Sequence, residues 1–223
     1  MAGSGLASWR EMPQEMGMMR LARMVLCGVL GMFLAAGTCL AQAEMNPPFG
    51  LNWGDSPEKL VAWATRQSLD LNIMQPGDQP ALRILKIQPS KGFLPEHKAS
   101  ALEARFLNGR LYELTVHYSD PDASADLMEA RFEEMRRELT ARHGALTANQ
   151  QERSVVDKFA TRKISFHREP VKGMMLLLVF TEVEDLLRQS KEARFSLVYR
   201  NDNLRLELSK EPGAAKEGDA VKD

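Results

Sequence analysis

Hydrophobic and polar residues alternate along this chain with two different periods, and the periods predict its secondary structure. A period of two residues, typical of strands, recurs along most of the second half. One segment, 173–180, is apolar at every position after its glycine, which favours a central strand covered on both faces. The predicted strands are 49–54, 81–88, 101–107, 110–119 and 173–180. The segment 155–168 is predicted to be extended, either as one strand or as two with a break midway, and a closing hairpin pairs 195–199 with 204–208 through a turn at Asn201 and Asp202.

Two segments have the longer period of a helix. The first begins at Ser56 and Pro57, a capping residue followed by the residue best suited to the first helical position, and runs to about Leu69. The second begins after Asp122 or Ser124 and ends at 143–144, where a glycine can adopt the left-handed conformation. Its apolar stripe consists of Met128, Phe132, Met135 and Leu139.

The turn at Asn108 and Gly109 raises a question of register. A two-residue turn is the usual expectation for Asn-Gly, but it would pair Ala104 with Glu113 and so mix core with solvent. A three-residue loop over 107–109 pairs Ala104 with Tyr112 and places the apolar side chains on one face. Since a shift of one residue turns every side chain over, we predict the three-residue loop.

Strands outnumber helices and mostly follow each other directly, which predicts an α+β fold. We expect a mostly antiparallel sheet of about seven to eight strands with two main helices on one face, helix and meander occurring twice. Residues 44–210 would form a single domain. The polar segment 211–223 has no apolar period and is predicted to be a disordered tail.

The N-terminal segment has the layout of a secretory signal peptide. Arg20 and Arg23 precede 17 uncharged residues, and small residues then stand at Ala41 and Ala43. We predict cleavage between Ala43 and Glu44 and export to the periplasm or beyond. Residues 1–43 would then be the signal segment, with translation starting at Met18 or Met19.

Two alternatives to cleavage differ in plausibility. A lipoprotein signal needs a small residue before the lipidated cysteine, but Leu26 precedes Cys27 and Thr38 precedes Cys39. An uncleaved anchor is compatible with the length of the apolar run, which is at the lower limit for spanning a bilayer. In that case the signal segment would be the protein's only membrane contact.

Cysteine content and charge exclude several classes of function. Both cysteines lie in the signal segment, so the exported chain has no disulfide, thiolate metal site or cysteine nucleophile. It keeps 26 of the 29 basic and 28 of the 30 acidic residues. A balance this close to neutral gives no field for nucleic acid.

The sequence predicts no catalytic, cofactor-binding or metal-ligating residues and no cofactor. His117 shares a strand face with Glu113 and Thr115, but the Cα atoms of Glu113 and His117 would lie ~13 Å apart, which favours a solvated sheet face over a catalytic dyad. Ser56 and Lys59 spell Ser-x-x-Lys, and we interpret this serine as a helix cap. His143, in the last turn of the second predicted helix, suits the negative helix end, and His97 and His167 have no partner at ligand spacing.

The segment 49–56, Phe-Gly-Leu-Asn-Trp-Gly-Asp-Ser, resembles the opening of small exported bacterial proteins of unknown function, which begin with the same kind of motif after a signal peptide. The segments 106–112 and 139–144 are similar to a later strand and helix end of those proteins. This resemblance implies an envelope protein without an assigned activity. The order of helix and strands is also similar to that of the small lipoprotein of the outer-membrane barrel assembly machinery, from which the chain departs by lacking the lipidated cysteine.

Three hypotheses of function follow. The leading one is a non-enzymatic binding or interaction module of the cell envelope, with an envelope protein as partner. The second is a small-ligand-binding protein with an apolar pocket between the sheet and the second helix. The third is a hydrolase whose residues the sequence does not bring together.

Overall fold

The computed structural model describes residues 45–95 and 97–210. The predicted signal segment, with its cleavage residues Ala41, Ala43 and Glu44, and the predicted tail lie outside these residues. The elements in chain order are α1 (Pro57–Arg66), β1 (Asp70–Met74), β2 (Leu82–Gln88), β3 (Ala101–Leu107), β4 (Arg110–Tyr118), α2 (Ala125–His143), β5 (Thr147–Val156), β6 (Phe159–Val171), β7 (Met174–Asp185), β8 (Ser190–Asn201) and α3 (Asp202–Leu208).

The eight strands form one antiparallel sheet in the order β1-β2-β3-β4-β8-β7-β6-β5. Each half of the sheet is a meander of four strands that follows a helix, and the two halves join where β4 pairs with β8. The predicted α+β class and the antiparallel sheet are therefore confirmed. The sheet leaves β1 and β5 as its two edges.

The segment 49–54 is not a strand. Phe49 and Gly50 both have positive φ angles, 65° and 66°, which break an extended conformation. The segment instead turns back on itself, and the amide of Gly54 donates a hydrogen bond to the carbonyl of Leu111 at 2.9 Å. A strand does form at Asp70–Met74, where none was predicted. The predicted extended segment 155–168 is divided near its start by the turn at 157–158, and β5 (Thr147–Val156) lies almost wholly before it.

The predicted closing hairpin is also wrong, because Asp202–Leu208 is the helix α3. Asn201 caps this helix: its side-chain oxygen accepts a hydrogen bond from the amide of Leu204 at 2.9 Å. The strand β8 pairs instead with β7 along its length and with β4 on its other side. Residues 186–189 form the turn that joins β7 to β8.

The β3–β4 hairpin has a two-residue turn and not the predicted three-residue loop. Asn108 and Gly109 both have positive φ, and Leu107 pairs with Arg110. An extra residue in β4, Tyr112, is unpaired and shifts the register, so that Ala104 meets Leu114. Phe106, Leu114 and Val116 share the buried face as predicted, through a bulge in the strand. Tyr112, predicted on the same face, instead packs in a separate cluster with α3, and Leu111 belongs to the main core.

Strand alternation gives the sheet two different faces. The apolar face contributes most of the buried core, including Leu85, Ile87, Leu102, Ala104, Leu114, Val116, Leu176, Leu178, Phe195 and Leu197. The polar face lies on the other side and includes Lys86, Glu103, Arg105, Glu113, Thr115, His117, Thr181, Arg194 and Ser196, by the same pairing. Within 173–180, the β7 side chains that point to the polar face, among them Leu177 and Val179, are partly buried, whereas Leu176 and Leu178 on the apolar face are fully buried. The prediction that both faces of 173–180 are covered is therefore wrong.

Helix α2 packs on the apolar face. It begins at Ser124, whose hydroxyl oxygen accepts a hydrogen bond from the amide of Leu127 at 3.2 Å, and ends at Gly144 with φ 87°. The ring of Phe132 lies 5.2 Å from the ring of Phe180 and 6.0 Å from that of Phe195. Helix α2 therefore holds the second meander through aromatic contacts.

The other two helices bury different side chains. Leu60 and Ala64 of α1 belong to the main core. Leu204 and Leu208 of α3 form a second cluster with Tyr112, next to Leu82 and Leu107, whose positions in their strands belong to the polar face.

Candidate functional site

The predicted solvated face around Glu113 and His117 is partly wrong. Glu113 and Thr115 are each only 9% exposed, and His117 is half-buried. The carboxylate of Glu113 lies 3.3 Å from the Nε atom of Arg105 and 3.9 Å from the Nη1 atom of Arg200. Glu113 therefore forms ion pairs with two arginines from the neighbouring strands and does not pair with His117.

Burial raises the pKa of Glu113, and the two arginines oppose this only in part. The folded state thus holds a proton on this carboxyl group more tightly than the unfolded state does. The contribution of Glu113 to stability is therefore greatest at low pH and is lost as the pH rises through the folded-state pKa. At neutral pH the ionised carboxylate of Glu113 lowers the free energy of unfolding relative to its protonated form, and its ion pairs with Arg105 and Arg200 offset part of this loss.

A groove of about 470 Å³ lies around His117 on the polar face. In the ladder His117 stands between two small residues, Ala101 of β3 and Ser196 of β8. Longer side chains, Lys86 from β2 and Arg194 from β8, line its sides. The groove exists because a row of short side chains is flanked by long ones.

The groove contains a serine, a histidine and a carboxylate, but not the contacts of a hydrolase. Within the described residues, no hydrogen bond joins Ser196 to His117 or His117 to Glu103. The carboxylate of Glu103 is instead paired with Arg105 at 3.1 Å. Strands β3, β4 and β8 use their backbone amides in the sheet ladder, so they offer few donors for an oxyanion. The arrangement favours binding over acyl transfer.

Two adjacent hairpin tips carry a cluster of exposed apolar side chains. The turn between β5 and β6 lies beside the turn between β7 and β8, since the amide of Leu186 donates to the carbonyl of Lys158 at 2.8 Å. Of the ten exposed large apolar side chains among the described residues, five are here, 42–76% exposed. We call this cluster the hairpin patch: Val155, Val156, Phe159, Leu186 and Leu187.

The hairpin patch continues into the edge strand β5. All ten residues of β5 are exposed, and among residues 45–95 and 97–210 the strand pairs only with β6. Its other side therefore presents unpaired backbone groups next to an apolar surface, the combination that recruits a further strand.

A smaller cavity of about 280 Å³ lies between α2 and the sheet, as the small-ligand hypothesis expects. Met128, Met135, Tyr118 and Phe195 provide its apolar wall, and Arg131 is among its charged lining residues. Its volume is just below the usual range of ligand pockets.

Of the remaining residues considered from the sequence, Lys59 and His97 have side-chain contacts. Ser56 is at the N-cap position of α1 but makes no side-chain capping hydrogen bond, contrary to the prediction. The buried Nδ1 atoms of His143 and His167 have no hydrogen-bond partner among the described residues. The Nζ atom of Lys59 lies 2.7 Å from the carboxylate of Asp55, so the Ser-x-x-Lys reading gains no support. The ring of His97 packs on that of Phe49 at 4.6 Å. Burial lowers the pKa of His143 in the last turn of α2, with Arg142 adding to the effect.

Two searches within the described residues were negative. In 45–95 and 97–210 no three histidine, aspartate or glutamate side chains are grouped as a metal site. None of the helices there is both long and apolar enough to span a bilayer.

Sequence reasoning missed Lys86, Arg194, Ser196 and the hairpin patch as site residues. Lys86 lies on β2, far in the chain from Arg194 and Ser196 on β8, and only the strand order places the two strands around one groove. A signal for the patch was available: Leu186 and Leu187 are adjacent apolar residues in a polar turn region, where a core role is impossible for both.

No protein-family model matches the chain, and no curated protein or solved structure is significantly similar to it.

Proposed function

We propose that the protein is an exported, non-enzymatic interaction module whose two longer helices cover one face of the sheet. Its partner is an envelope protein that adds an extended segment to β5 and covers the hairpin patch. The observation that carries the proposal is the cluster of five exposed apolar side chains at one end of a free sheet edge. Surfaces of this kind mark interaction sites in soluble proteins.

The edge strand β5 has few of the features that normally protect an edge. It contains no proline or lysine, and the bulge beside Asn149 leaves the run from Gln150 to Val156 regularly paired with β6. The charges of Glu152 and Arg153 cancel. An added strand would gain main-chain hydrogen bonds along this run and apolar contacts at its end.

A crosslinking experiment tests this interface. A photo-reactive amino acid at Gln151 of β5 is expected to yield one discrete adduct in intact cells. The double substitution Val156→Asp and Leu187→Asp should weaken that adduct at least about tenfold, because each side chain would lose its apolar burial in the complex. Blotting for the adduct measures the effect.

The matched control is Leu206→Asp, which places the same charge on an exposed leucine of α3, 53% exposed and remote in sequence from the patch. It should leave the adduct unchanged. Equal loss in the control and the double variant would contradict the proposal, and so would an adduct with the mass of two copies of the chain.

The cavity beside α2 favours a second candidate, a small-ligand-binding function. An alkyl ligand of medium length should then stabilise the folded state. At a free ligand concentration of a hundred times the dissociation constant, the free energy of unfolding should increase by about 2.7 kcal/mol, and the unfolding temperature should rise with it. Met135→Trp would fill the cavity and abolish this shift, whereas Leu127→Trp on the exposed side of α2 would keep it. A panel of alkyl carboxylates and alcohols that produces no shift in a thermal denaturation assay would reject this candidate.

A further inference from the structure

The charges around the groove at His117 are unbalanced. Lys86 and Arg194 line it from opposite halves of the sheet, and neither forms a hydrogen bond or an ion pair with a described residue. The nearby carboxylate of Glu103 is paired with Arg105 at 3.1 Å. The groove therefore holds two cations that have no partner in the part of the chain that the structure describes, although the overall charge of the chain is slightly negative.

The floor of the groove adds neutral donors. Ser196 lies directly opposite His117 in the β4–β8 ladder, and Thr181 lies opposite Arg194 in the β7–β8 ladder. Hydroxyl groups and an imidazole between two cations can donate to several oxygen atoms at once. A tetrahedral oxyanion offers more acceptor oxygens to such a set than a single carboxylate does.

We propose that this groove binds a small phosphate-bearing molecule, with Lys86 and Arg194 on the phosphate oxygens and His117 and Ser196 beneath them. The site is on the polar face and uses no residue of β5 or the hairpin patch. Phosphate binding would therefore be a second function, and its test does not depend on the partner interface.

His117 makes the binding depend on pH. Its pKa is lowered chiefly by burial; Glu103 of β3 opposes this shift, and Lys86 of β2 and Arg194 of β8 add to it. A bound dianion would offset the two cations and favour the imidazolium form. Because the bound state then holds the proton more tightly than the free state, affinity should rise as the pH falls and decline as the pH rises through the bound-state pKa of His117.

The test is an NMR titration of the full exported chain with inorganic phosphate. We expect saturable shifts centred on the amides of His117, Ser196 and Thr181. Lys86→Ala and Arg194→Ala should each weaken binding about tenfold, since each removes a charge-assisted hydrogen bond. Shifts that never saturate, or that spread over the whole surface, would overturn the proposal.

Arg83→Ala is the matched control. Arg83 is an exposed cation on the same strand as Lys86, and strand alternation points it to the opposite face. Its substitution should leave phosphate affinity unchanged, and an effect equal to that of Lys86→Ala would show that only general surface charge is involved. Both lining cations are exposed, so unfolding midpoints close to that of the unsubstituted protein are expected for their variants.

Two further arms separate the chemistry of the ligand from the role of His117. Acetate should bind at least about tenfold more weakly than phosphate, because it offers fewer oxygens and a single charge; equal affinity would overturn the phosphate assignment. Sulfate stays fully ionised between pH 5 and 8, so its affinity reports the protein's titration alone. His117→Gln should flatten that pH profile, and an unchanged profile would contradict the role of His117.

Discussion

Deletion of Thr115 is expected to unfold the protein, whereas deletion of Tyr112, three positions earlier in the same strand, is expected to leave the fold intact. Tyr112 is the unpaired bulge residue, so its removal joins Leu111 and Glu113 into a regular ladder with β3. The loss is then confined to the contacts of its buried side chain with Leu208 and the rest of the second cluster. This amounts to about 1.5–3 kcal/mol.

Deletion of Thr115 has no such solution. If β4 keeps its pairing before the gap, His117 turns toward the apolar face. If β4 keeps its pairing after the gap, the residues before the gap move along by one position. Tyr112 then enters the ladder in place of Glu113, the bulge disappears, and Glu113 takes the fully buried place of Leu114. Either register puts an ionisable side chain into the core, at a cost of at least about 4 kcal/mol, comparable to the whole stability of many domains.

Urea unfolding followed by circular dichroism measures both deletions. The protein without Tyr112 should show a cooperative transition at a lower midpoint, and the protein without Thr115 should show none. Similar transitions for the two deletions would mean that the strand does not depend on this register.

Phe132→Ala is expected to remove about 3–5 kcal/mol of unfolding free energy. Phe132 is 1% exposed, and three aromatic rings of the second meander lie within 6.1 Å of its ring centroid. The surrounding rings cannot collapse fully into the space it leaves, so a cavity adds to the lost apolar contact. Phe93→Ala, at a side chain 42% exposed, is the control and should change stability by less than about 0.5 kcal/mol.

The same variant tests whether the two meanders share one core. Trp53 and Trp63 precede the first meander, and both pack against the main core, to which Phe132 also belongs. Tryptophan fluorescence and circular dichroism should therefore report the same lowered midpoint for Phe132→Ala. A fluorescence transition that stays at its original midpoint would show that the halves unfold separately.

The sequence was sufficient for the fold class because hydrophobic period is a local property. The stripe of α2 and the alternation of β2, β3 and β4 could be recognised from neighbouring residues alone. The hairpin register shows the limit of this reasoning. The requirement that Ala104 meet an apolar partner was correct, but an extra residue can satisfy it in the loop or in the strand, and only contacts with the distant helix α3 distinguish the two.

Helix α3 shows a second limit. Leu204, Leu206 and Leu208 fit a strand with a period of two, but Leu204 and Leu208 are also one helical turn apart. Leu206 is exposed, which fits the helix and not the strand. A run this short contains both periods, and tertiary packing decides between them.

The candidate sites were beyond reach of the sequence for a different reason. Lys86 and Arg194 are far apart in the chain, and each alone is an ordinary surface cation. Their convergence depends on the pairing of β4 with β8, which no local pattern encodes.

That pairing also constrains how the chain can acquire its structure. Strand β4 ends at Tyr118, and its neighbour β8 begins only at Ser190. A polypeptide delivered from its N-terminus, by a ribosome or through a translocation pore, would thus expose the unfinished margin of its first meander until nearly all the rest has emerged. Closing so long an intervening loop is slow, and a holding chaperone would find its substrate in that interval.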